Sequence, residues 1–126
     1  MLFSNGTINN NTISNNTWGI ICGDYSSPLI TFNNITYNTY GIECRNNSNP
    51  IIHWNNIHNN PNYGVINYDT NFNVSATDNW WGDPSGPYDP SPGQPDWNRL
   101  GKGDRVSDYV YYRPWEDTPI EEAGPG

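Results

Sequence analysis

Carboxylates are the residues of this chain best suited to acid/base chemistry. Cleavage of a sugar linkage, for example, uses two carboxyl groups placed on either side of the reacting bond. The repeated part of the chain supplies Asp24, Glu43, Asp69 and Asp78, which fall at unrelated positions. Glu43 and Arg45 are two residues apart in a strand-like segment, so they share an outward face and are expected to form a surface ion pair. These residues therefore do not predict a catalytic pair.

Three further aspartates lie in the segment GDPSGPYDPSPGQPD, at Asp83, Asp89 and Asp96. A loop that presents several carboxylates could wrap a calcium ion, which prefers oxygen ligands. The alternative is a rigid loop without an ion, because its prolines restrict the backbone and nearby tryptophans can cover apolar residues. The tryptophans in question are Trp80, Trp81 and Trp97. Structural calcium is therefore one of two interpretations of this segment.

The two histidines of the chain, His53 and His58, flank the sequence WNNI. A transition-metal site needs more ligands than two imidazoles, and the sequence places no third ligand beside them. We therefore expect both histidines at the surface and no metal site.

Aromatic residues recur at one position of the sequence, since Trp18, Tyr40 and Tyr63 each precede a glycine. If these positions are equivalent in space, the three rings stack in a row. A row that faces solvent is a platform for sugar rings, whereas a row that faces inward is core packing. The sequence leaves both roles open and makes these residues the candidate carbohydrate-binding residues.

The spacing that relates these positions is a repeat of 22 residues. Residues 6–27 align with residues 28–49, which pairs Ile8 with Ile30 and Cys22 with Cys44. A third copy begins at Pro50, slips by one residue near Pro61, and is followed by a partial copy from Val74 that dissolves into NWWGDPSGP. A fixed period of this length is typical of a solenoid, in which each coil buries its apolar face against its neighbours.

Composition decides which kind of solenoid this is. Asn and Gly are poor residues for helix interiors, and short alternating runs such as that from Ile20 to Cys22 are typical of strands. Each coil is therefore predicted to hold brief strands joined by Asn-rich corners, where Asn11, Asn33 and Asn55 form a ladder. The column of Gly19, Gly41 and Gly64 indicates positive φ or close backbone approach.

The motif Pro-x-Ile-x-x-Asn-x-Ile-x-x-Asn-x-x-Gly-Ile, from Pro28 to Ile42, resembles the right-handed parallel β-helix repeat. That repeat occurs in bacterial and archaeal surface proteins, pectate-lyase-like enzymes and periplasmic copper-processing proteins. The segments 79–87 and 101–115 are similar to the closing segment of surface β-helices. The resemblance implies an all-β solenoid of three to four coils over residues 1–80, with residues 81–126 as an aromatic, Pro- and Gly-rich cap of the same domain. It implies no single activity.

Charge and targeting signals limit the functional classes. The formal charge of −8, with five basic residues, argues against binding to nucleic acid or to anionic membrane surfaces. No apolar run approaches the length of a spanning helix, so membrane insertion is not expected, and the start MLFSNGT lacks the features of a signal peptide. An exported protein would therefore carry its signal upstream or would have lost it.

The residue types also predict the state of the two cysteines and the sites at which glycans could be attached. Cys22 and Cys44 occupy one column, and their parallel side chains favour two buried free thiols over a disulfide. Asn-x-Ser/Thr motifs are glycan acceptors in an exported protein. These motifs begin at Asn5, Asn10, Asn15, Asn34, Asn46 and Asn73.

The leading functional prediction is a non-enzymatic structural module at the cell surface or outside the cell. The first coil is preceded only by MLFSN, so we expect either a longer β-helix or self-association end to end through that coil. The alternative is carbohydrate binding or processing on the aromatic row, with Glu43 and Arg45 nearby. Periplasmic copper handling is a minor alternative, implied by the resemblance alone.

Overall fold

The protein is described here by a computed structural model, which covers residues 5–93 and 95–126. Across these residues the regular structure is entirely β, and no helix could cross a membrane. The strands are β1 Thr7–Asn9, β2 Thr12–Ser14, β3 Trp18–Cys22, β4 Leu29–Thr31, β5 Asn34–Thr36, β6 Tyr40–Cys44, β7 Ile51–His53, β8 Asn56–His58, β9 Tyr63–Asn67, β10 Val74–Ser75 and β11 Val110–Tyr111.

Each of the first three coils contributes one strand to each of three parallel sheets. Sheet A has the order β1-β4-β7-β10-β11, sheet B the order β2-β5-β8 and sheet C the order β3-β6-β9. The pairing follows the sequence period, since Ile8 lies opposite Ile30 and Ile30 lies opposite Ile52. The extra residue near Pro61 lies between β8 and β9, so that Tyr40 pairs with Tyr63. The predicted parallel β-solenoid is therefore confirmed.

The fourth coil is more complete than the sequence suggests. After β10, Trp80 pairs with Asn56 beside sheet B, and Val106 pairs with Val65 beside sheet C. Residues 81–104 form an excursion between these two sides, and β11 then adds to sheet A beside β10. The 22-residue period is lost at NWWGDPSGP because the excursion separates the part of the fourth coil beside sheet B from the part beside sheet C.

Inward-facing β-branched side chains fill the solenoid. Because alternate strand residues point to opposite faces, each strand sends one or two apolar side chains inward. The residues with no exposed surface include Ile30, Ile35, Ile42, Ile52, Ile57 and Val65. In the first coil, Ile8 and Ile13 are only partly buried against this core. The core is therefore complete in the middle coils and open at the first.

The predicted asparagine ladder is present at the corner between sheets A and B. Asn33 donates its backbone N–H and its Nδ2 to Oδ1 of Asn55, over 2.9 and 3.1 Å. Its Nδ2 also donates to the backbone oxygens of Ile8 and Thr31. Asn11 precedes it in the ladder and Asn79 follows Asn55. Each side chain therefore satisfies backbone groups that the strands leave unpaired at a corner.

A second ladder occupies the corner between sheets B and C. Asn16 donates to Oδ1 of Asn38, and Asn38 donates to Oδ1 of Asn60, with Nδ2–Oδ1 distances of 3.1 and 3.2 Å. Asn60 then donates to Oδ2 of Asp104 at 2.7 Å. The shift of 22 residues that aligns residues 6–27 with residues 28–49 also pairs Asn16 with Asn38, but it does not by itself predict this ladder. Both corners are therefore built by the same amide chemistry.

The corners share one backbone conformation. The residue before each ladder asparagine has positive φ, for example Asn10 at 55° and Phe32 at 57°. The glycine column acts differently, because a Cβ atom on Gly19 would lie 2.6 Å from the oxygen of Gly41. One on Gly41 would lie 2.4 Å from the oxygen of Gly64. Close approach between coils, the second of the two predicted reasons, therefore accounts for this column.

The two cysteines are free thiols in the structure, as predicted. Cys22 and Cys44 are partners in the pairing of β3 with β6, and both are buried. The hydrogen bond that Cys44 donates to Cys22, together with burial, raises the pKa of the Cys44 thiol, whereas the same hydrogen bond lowers the pKa of the Cys22 thiol. A hydrogen-bonded pair of buried thiols is therefore part of the core.

The end of the solenoid after the fourth coil is closed by side chains of the excursion and of the C-terminal residues. Trp81 and Tyr112 are fully buried, and Trp80 is half-buried. Trp97 is 46% exposed and lies under the guanidinium of Arg99, so it does not cover the core. Of the three tryptophans expected to cover the core, only Trp81 is fully enclosed.

The C-terminal tail returns along the outside of sheet B. The backbone N–H of Ile120 donates to Oδ1 of Asn56, and Nδ2 of Asn56 donates back to the Ile120 oxygen. Further along, Gly124 donates to the backbone oxygen of Phe32, and Asn10 donates to the oxygen of Glu122. The tail therefore ties the third, second and first coils together.

The ladder predicts that alanine substitutions of its asparagines lower the free energy of unfolding by different amounts. Asn55→Ala should lower the free energy of unfolding by about 3 kcal/mol or more, because it leaves the Asn33 N–H and the Ile30 carbonyl without a partner. Asn11→Ala, at the exposed end, should cost about 1 kcal/mol. Urea denaturation measures both, with Asn9→Ala as an exposed control. Equal losses at Asn55 and Asn11 would contradict the ladder's role.

Candidate functional site

The aromatic row predicted from the sequence lies at the surface along sheet C. The rings of Trp18 and Tyr40 are nearly parallel, with centroids 6.3 Å apart, and Tyr40 and Tyr63 repeat this spacing. Trp18 is 42% exposed, whereas Tyr40 and Tyr63 are half-buried. The guanidinium of Arg105 lies 4.9 Å from the centre of the Tyr63 ring and ends the row with a cation–π contact.

Glu43 lies beneath this row and is only 2% exposed. Its Oε1 accepts a hydrogen bond of 3.1 Å from Nε1 of Trp18, and its Oε2 forms an ion pair with Arg45. The predicted ion pair is therefore present, but it is not a surface pair, because the aromatic row and neighbouring side chains cover the carboxylate. Glu43 holds the Trp18 ring in place and is not open to a ligand.

The other carboxylates of the repeats have structural partners of their own. Asp24 accepts a hydrogen bond of 2.9 Å from Asn46, and Asp69 accepts one from the backbone of Asn71. Asp78 accepts one from its neighbour Thr77. Asp24 and Asp69 lie two coils apart at the corner that follows sheet C, and Asp78 lies at the corner between sheets A and B. The structure therefore does not bring them together as an acid/base pair.

An open groove of about 1130 Å³ lies at the corner between sheets B and C. It is lined by residues 59–63 and 101–105, with Asn15, Tyr37 and Tyr88, and is called the corner groove below. One wall is the solenoid corner, and the other is the end of the excursion. The lining offers amide groups, phenol rings and two cationic side chains, which suits hydrogen bonding and ring contact with a polar ligand.

The charges of the corner groove contrast with those of the whole chain. Lys102 and Arg105 both line it, although the chain has five basic residues and a formal charge of −8. Asp104 is the acidic residue among the lining residues. The groove is therefore one of the few places on this acidic protein that can attract an anionic group.

Asp104 lies where an asparagine would continue the second ladder. Its Oδ2 accepts hydrogen bonds from the backbone and side chain of Asn60. Burial raises the pKa of the Asp104 carboxyl to about 7, while the hydrogen bonds from Asn60 and Asn59 act in the opposite direction. The corner groove therefore contains a carboxyl whose charge changes near neutral pH.

The two histidines lie on different sheets. His53 lies on sheet A within 3.0 Å of the Ser75 hydroxyl, and His58 lies on sheet B beside Asn59. Burial lowers the pKa of His58. Throughout the described part of the chain, no three His, Cys, Asp or Glu side chains are grouped so as to hold a metal ion. Copper handling therefore gains no support from this geometry.

The three aspartates of the proposed calcium loop also have separate partners. Asp83 accepts hydrogen bonds from Ser85, Asp89 accepts one of 2.9 Å from Tyr112, and Asp96 pairs with Arg113. The contacts of Asp89 and Asp96 hold the excursion against the C-terminal segment. Structural calcium stays a prediction from the sequence alone, with no additional support from these contacts.

The predicted glycan acceptors differ in accessibility. Asn34 is half-buried, accepts a hydrogen bond from Asn56 and lies against Gly124 of the tail. Asn10 donates to two carbonyls of the tail. A glycan on either side chain would compete with these tail contacts. The remaining motifs have exposed asparagines, at Asn5, Asn15, Asn46 and Asn73.

The fold is also identified by comparison with known families. The chain belongs to the right-handed β-helix family, whose model, described as a right-handed β-helix region, matches residues 1–83. No curated protein and no solved structure matches the chain. Membership supplies the fold and its handedness, but a β-helix carries many unrelated functions. The function therefore has to be argued from the surface described above.

Sequence reasoning missed the part of the site that lies after the excursion. Lys102, Asp104 and Arg105 follow a stretch without the repeat period, so nothing marked them as neighbours of Asn60 and Tyr63. The one local signal was the acidic Asp104 next to the basic Arg105 and the β-branched Val106. That signal indicates a return to the solenoid only once the position of the fourth coil is known.

Asp104 predicts a pH dependence of stability. The folded protein keeps the proton up to about pH 7, whereas an aspartate in an unfolded chain has a pKa of about 3.9. The unfolded state therefore binds fewer protons between these values, and stability must fall as pH rises from about 4 to about 7. Asp104→Asn should remove this decrease, matching the parent protein near pH 4 and exceeding it by about 2 to 4 kcal/mol above pH 7.

Urea denaturation at several pH values measures the effect. Asp117→Asn removes an exposed carboxylate and controls for the change in net charge. The free energies of unfolding of the parent protein and of Asp104→Asn are compared at each pH. A difference that is constant from pH 4 to pH 8 would show that the pKa of Asp104 is not raised in the folded protein.

Proposed function

We propose that this chain is a non-enzymatic structural module of a β-helix protein located at the cell surface or outside the cell. The observation that carries the proposal is the use of the polar side chains in the repeats. Asn33, Asn38, Asn55 and Asn60 hold successive coils together, and the repeat carboxylates have structural partners. A solenoid whose polar groups are used in this way is suited to rigidity and extension.

Its location is inferred from charge and modification motifs. A formal charge of −8 and several exposed Asn-x-Ser/Thr motifs suit a soluble surface outside the cell. The first coil provides the connection to the remainder of such an assembly. Its strands β1, β2 and β3 are edge strands of their sheets, and Ile8 and Ile13 are partly exposed.

Two measurements test this function. Intact producing cells treated with a membrane-impermeant protease should lose the protein, while a cytoplasmic marker survives. The purified chain, incubated with neutral and acidic polysaccharides, should release no reducing or unsaturated ends. Protection from the protease would contradict the location, and catalytic cleavage would contradict the structural role.

Carbohydrate binding is a second candidate, favoured by the corner groove. Tyr63 and Arg105 line this groove and also a second depression of about 340 Å³. Tyr88 offers a further ring, Lys102 a further cation, and the asparagines of the corner offer hydrogen bonds for hydroxyl groups. Sugar rings pack on aromatic side chains, and a carboxylated or sulfated sugar would pair with the cations. Of the aromatic row, Tyr63 is the residue that lines the groove, with its ring between Tyr40 and Arg105.

Glycan binding can be measured with matched variants. Acidic polysaccharides should be retained by the parent protein, and Tyr63→Ala or Arg105→Ala should weaken binding about tenfold, by loss of a ring or ionic contact. Tyr111→Ala on sheet A and Arg99→Ala beside Trp97 remove the same residue types away from the groove and should bind normally. Equal weakening by all four variants, or no retention by the parent, would exclude a specific site.

A further inference from the structure

A second groove lies where the C-terminal tail, residues 116–126, crosses the solenoid. It has a volume of about 740 Å³ and is open to solvent. One wall is the corner between sheets A and B, which presents Asn10, Phe32 and Trp54. The other wall is formed by the tail between residues 116 and 122. This space is called the tail groove below.

Two aromatic rings are stacked along the corner wall of the tail groove. Phe32 and Trp54 have ring centroids 5.7 Å apart, with an angle of 13° between their planes. Carbon atoms in contact are about 3.5 to 4.0 Å apart, so rings at this separation leave part of each face uncovered. Phe32 is half-buried and Trp54 is 43% exposed. The groove therefore offers aromatic surface that the protein itself does not cover.

The corner backbone does not favour rings at these two positions. Phe32 and Trp54 occupy the corner position that carries Asn10 in the first coil and Asp78 in the fourth, and all four residues have positive φ. Asparagine and aspartate tolerate this conformation, whereas it is unfavourable for bulky side chains. Aromatic residues here therefore cost stability that short polar residues would not, in agreement with a role for the rings at the surface.

The opposite wall of the tail groove is acidic. Glu116, Glu121 and Glu122 line it, and its lining residues include no Lys or Arg. The ion pairs found within residues 5–93 and 95–126 involve Glu43 and Asp96 instead. The three glutamates therefore place negative charge beside the aromatic surface, and no cationic side chain of the described residues neutralises it.

Backbone contacts hold this acidic wall in position. Ile120 exchanges two hydrogen bonds with the side chain of Asn56, and the backbone oxygen of Glu122 accepts one of 3.0 Å from Asn10. A charged segment at the end of a domain is usually solvated and poorly ordered unless contacts fix it. Because the main chain of the tail is fixed, its carboxylates form a preorganised wall, which lowers the entropic cost of binding a cation.

Elsewhere in the protein, aromatic rings are paired with its own arginines. The guanidinium of Arg105 lies 4.9 Å from the centre of the Tyr63 ring, and that of Arg99 lies 5.4 Å from the centre of the Trp97 ring. In the described part of the chain, Phe32 and Trp54 have no such contact. A guanidinium from another molecule could pack on these rings and pair with the glutamates opposite them.

The length of the tail groove suits a short piece of extended chain. The groove runs from Asn10 in the first coil to Glu116, which donates its backbone N–H to the oxygen of Asn79 in the fourth coil. Three steps between coils of about 4.8 Å give a length of about 14 Å. An extended chain rises about 3.3 Å per residue, so roughly four residues span the groove.

We propose that the tail groove binds a basic, extended segment of a partner protein, with arginine side chains against Phe32 and Trp54 and their charges paired with the tail glutamates. The formal charge of −8 favours the approach of such a cationic partner. The interaction adds a partner surface to the proposed structural role and does not depend on that role.

Fluorescence anisotropy tests this on the full-length chain. The probe is the fluorescein-labelled peptide Gly-Arg-Gly-Arg-Gly-Arg-Gly at pH 7 and low ionic strength. Trp54→Asn should weaken binding about fivefold by loss of a ring contact, and it introduces the residue type that Asn10 places at the same corner. Trp97→Asn removes a tryptophan of similar exposure away from the groove and should bind as the parent does. Equal weakening by both variants would overturn the proposal.

The role of the carboxylates is tested with paired variants. Glu121→Gln combined with Glu122→Gln keeps side-chain size and should weaken binding about fivefold by loss of two ionic contacts. Asp24→Asn combined with Asp117→Asn removes the same charge from exposed residues outside the groove lining and should have little effect. Equal weakening by the two pairs would show non-specific attraction by net charge and would overturn the site.

Competition identifies the occupant. The unlabelled peptide should displace the probe at a lower concentration than spermidine, because a polyamine has no planar guanidinium to stack on the rings. Displacement by spermidine at the lower concentration would identify a small amine as the occupant and overturn the proposed protein partner. No change in anisotropy with the unmodified chain at concentrations up to about 1 mM would overturn the site itself.

Discussion

Buried backbone groups at the corners of the coils must find hydrogen-bond partners, and asparagine side chains meet this requirement. Strands pair only along the flat sides, so a tight corner leaves N–H and C=O groups that burial would make costly. Asn33 and Asn38 each accept and donate at such a corner, and Asn55 and Asn60 do the same in the third coil. The regular spacing of coils, the stacked isoleucines and the stacked rings all follow from this repeated contact.

The same contact explains why the candidate site lies where it does. Side chains that hold one coil to the next are not free to bind a ligand, as Glu43 beneath the aromatic row illustrates. Free cations, phenol rings and a titrating carboxyl appear where the repeat is interrupted, at Lys102, Arg105 and Asp104. The excursion therefore contributes charged and titrating side chains to a solenoid whose own polar side chains are used in structural contacts.

Much of the fold could be predicted from the sequence, because a period of 22 residues is preserved wherever coils stack directly. It located the ladder at Asn33, the thiols and the aromatic row. It could not locate the end of the fourth coil, since Arg105 and Val106 return to the solenoid after an excursion that no period spans. Burial of Glu43 was also beyond reach, because it depends on rings contributed by neighbouring coils.

Hydrogen exchange at the ladder measures the central claim most directly. Nuclear magnetic resonance can follow the backbone N–H and the side-chain NH₂ of Asn33, Asn38, Asn55 and Asn60 separately. Because these groups donate within buried ladders, both sets should exchange orders of magnitude more slowly than the NH₂ of exposed Asn9. Side-chain NH₂ groups that exchange as fast as Asn9, in a protein whose strand amides remain protected, would contradict the account.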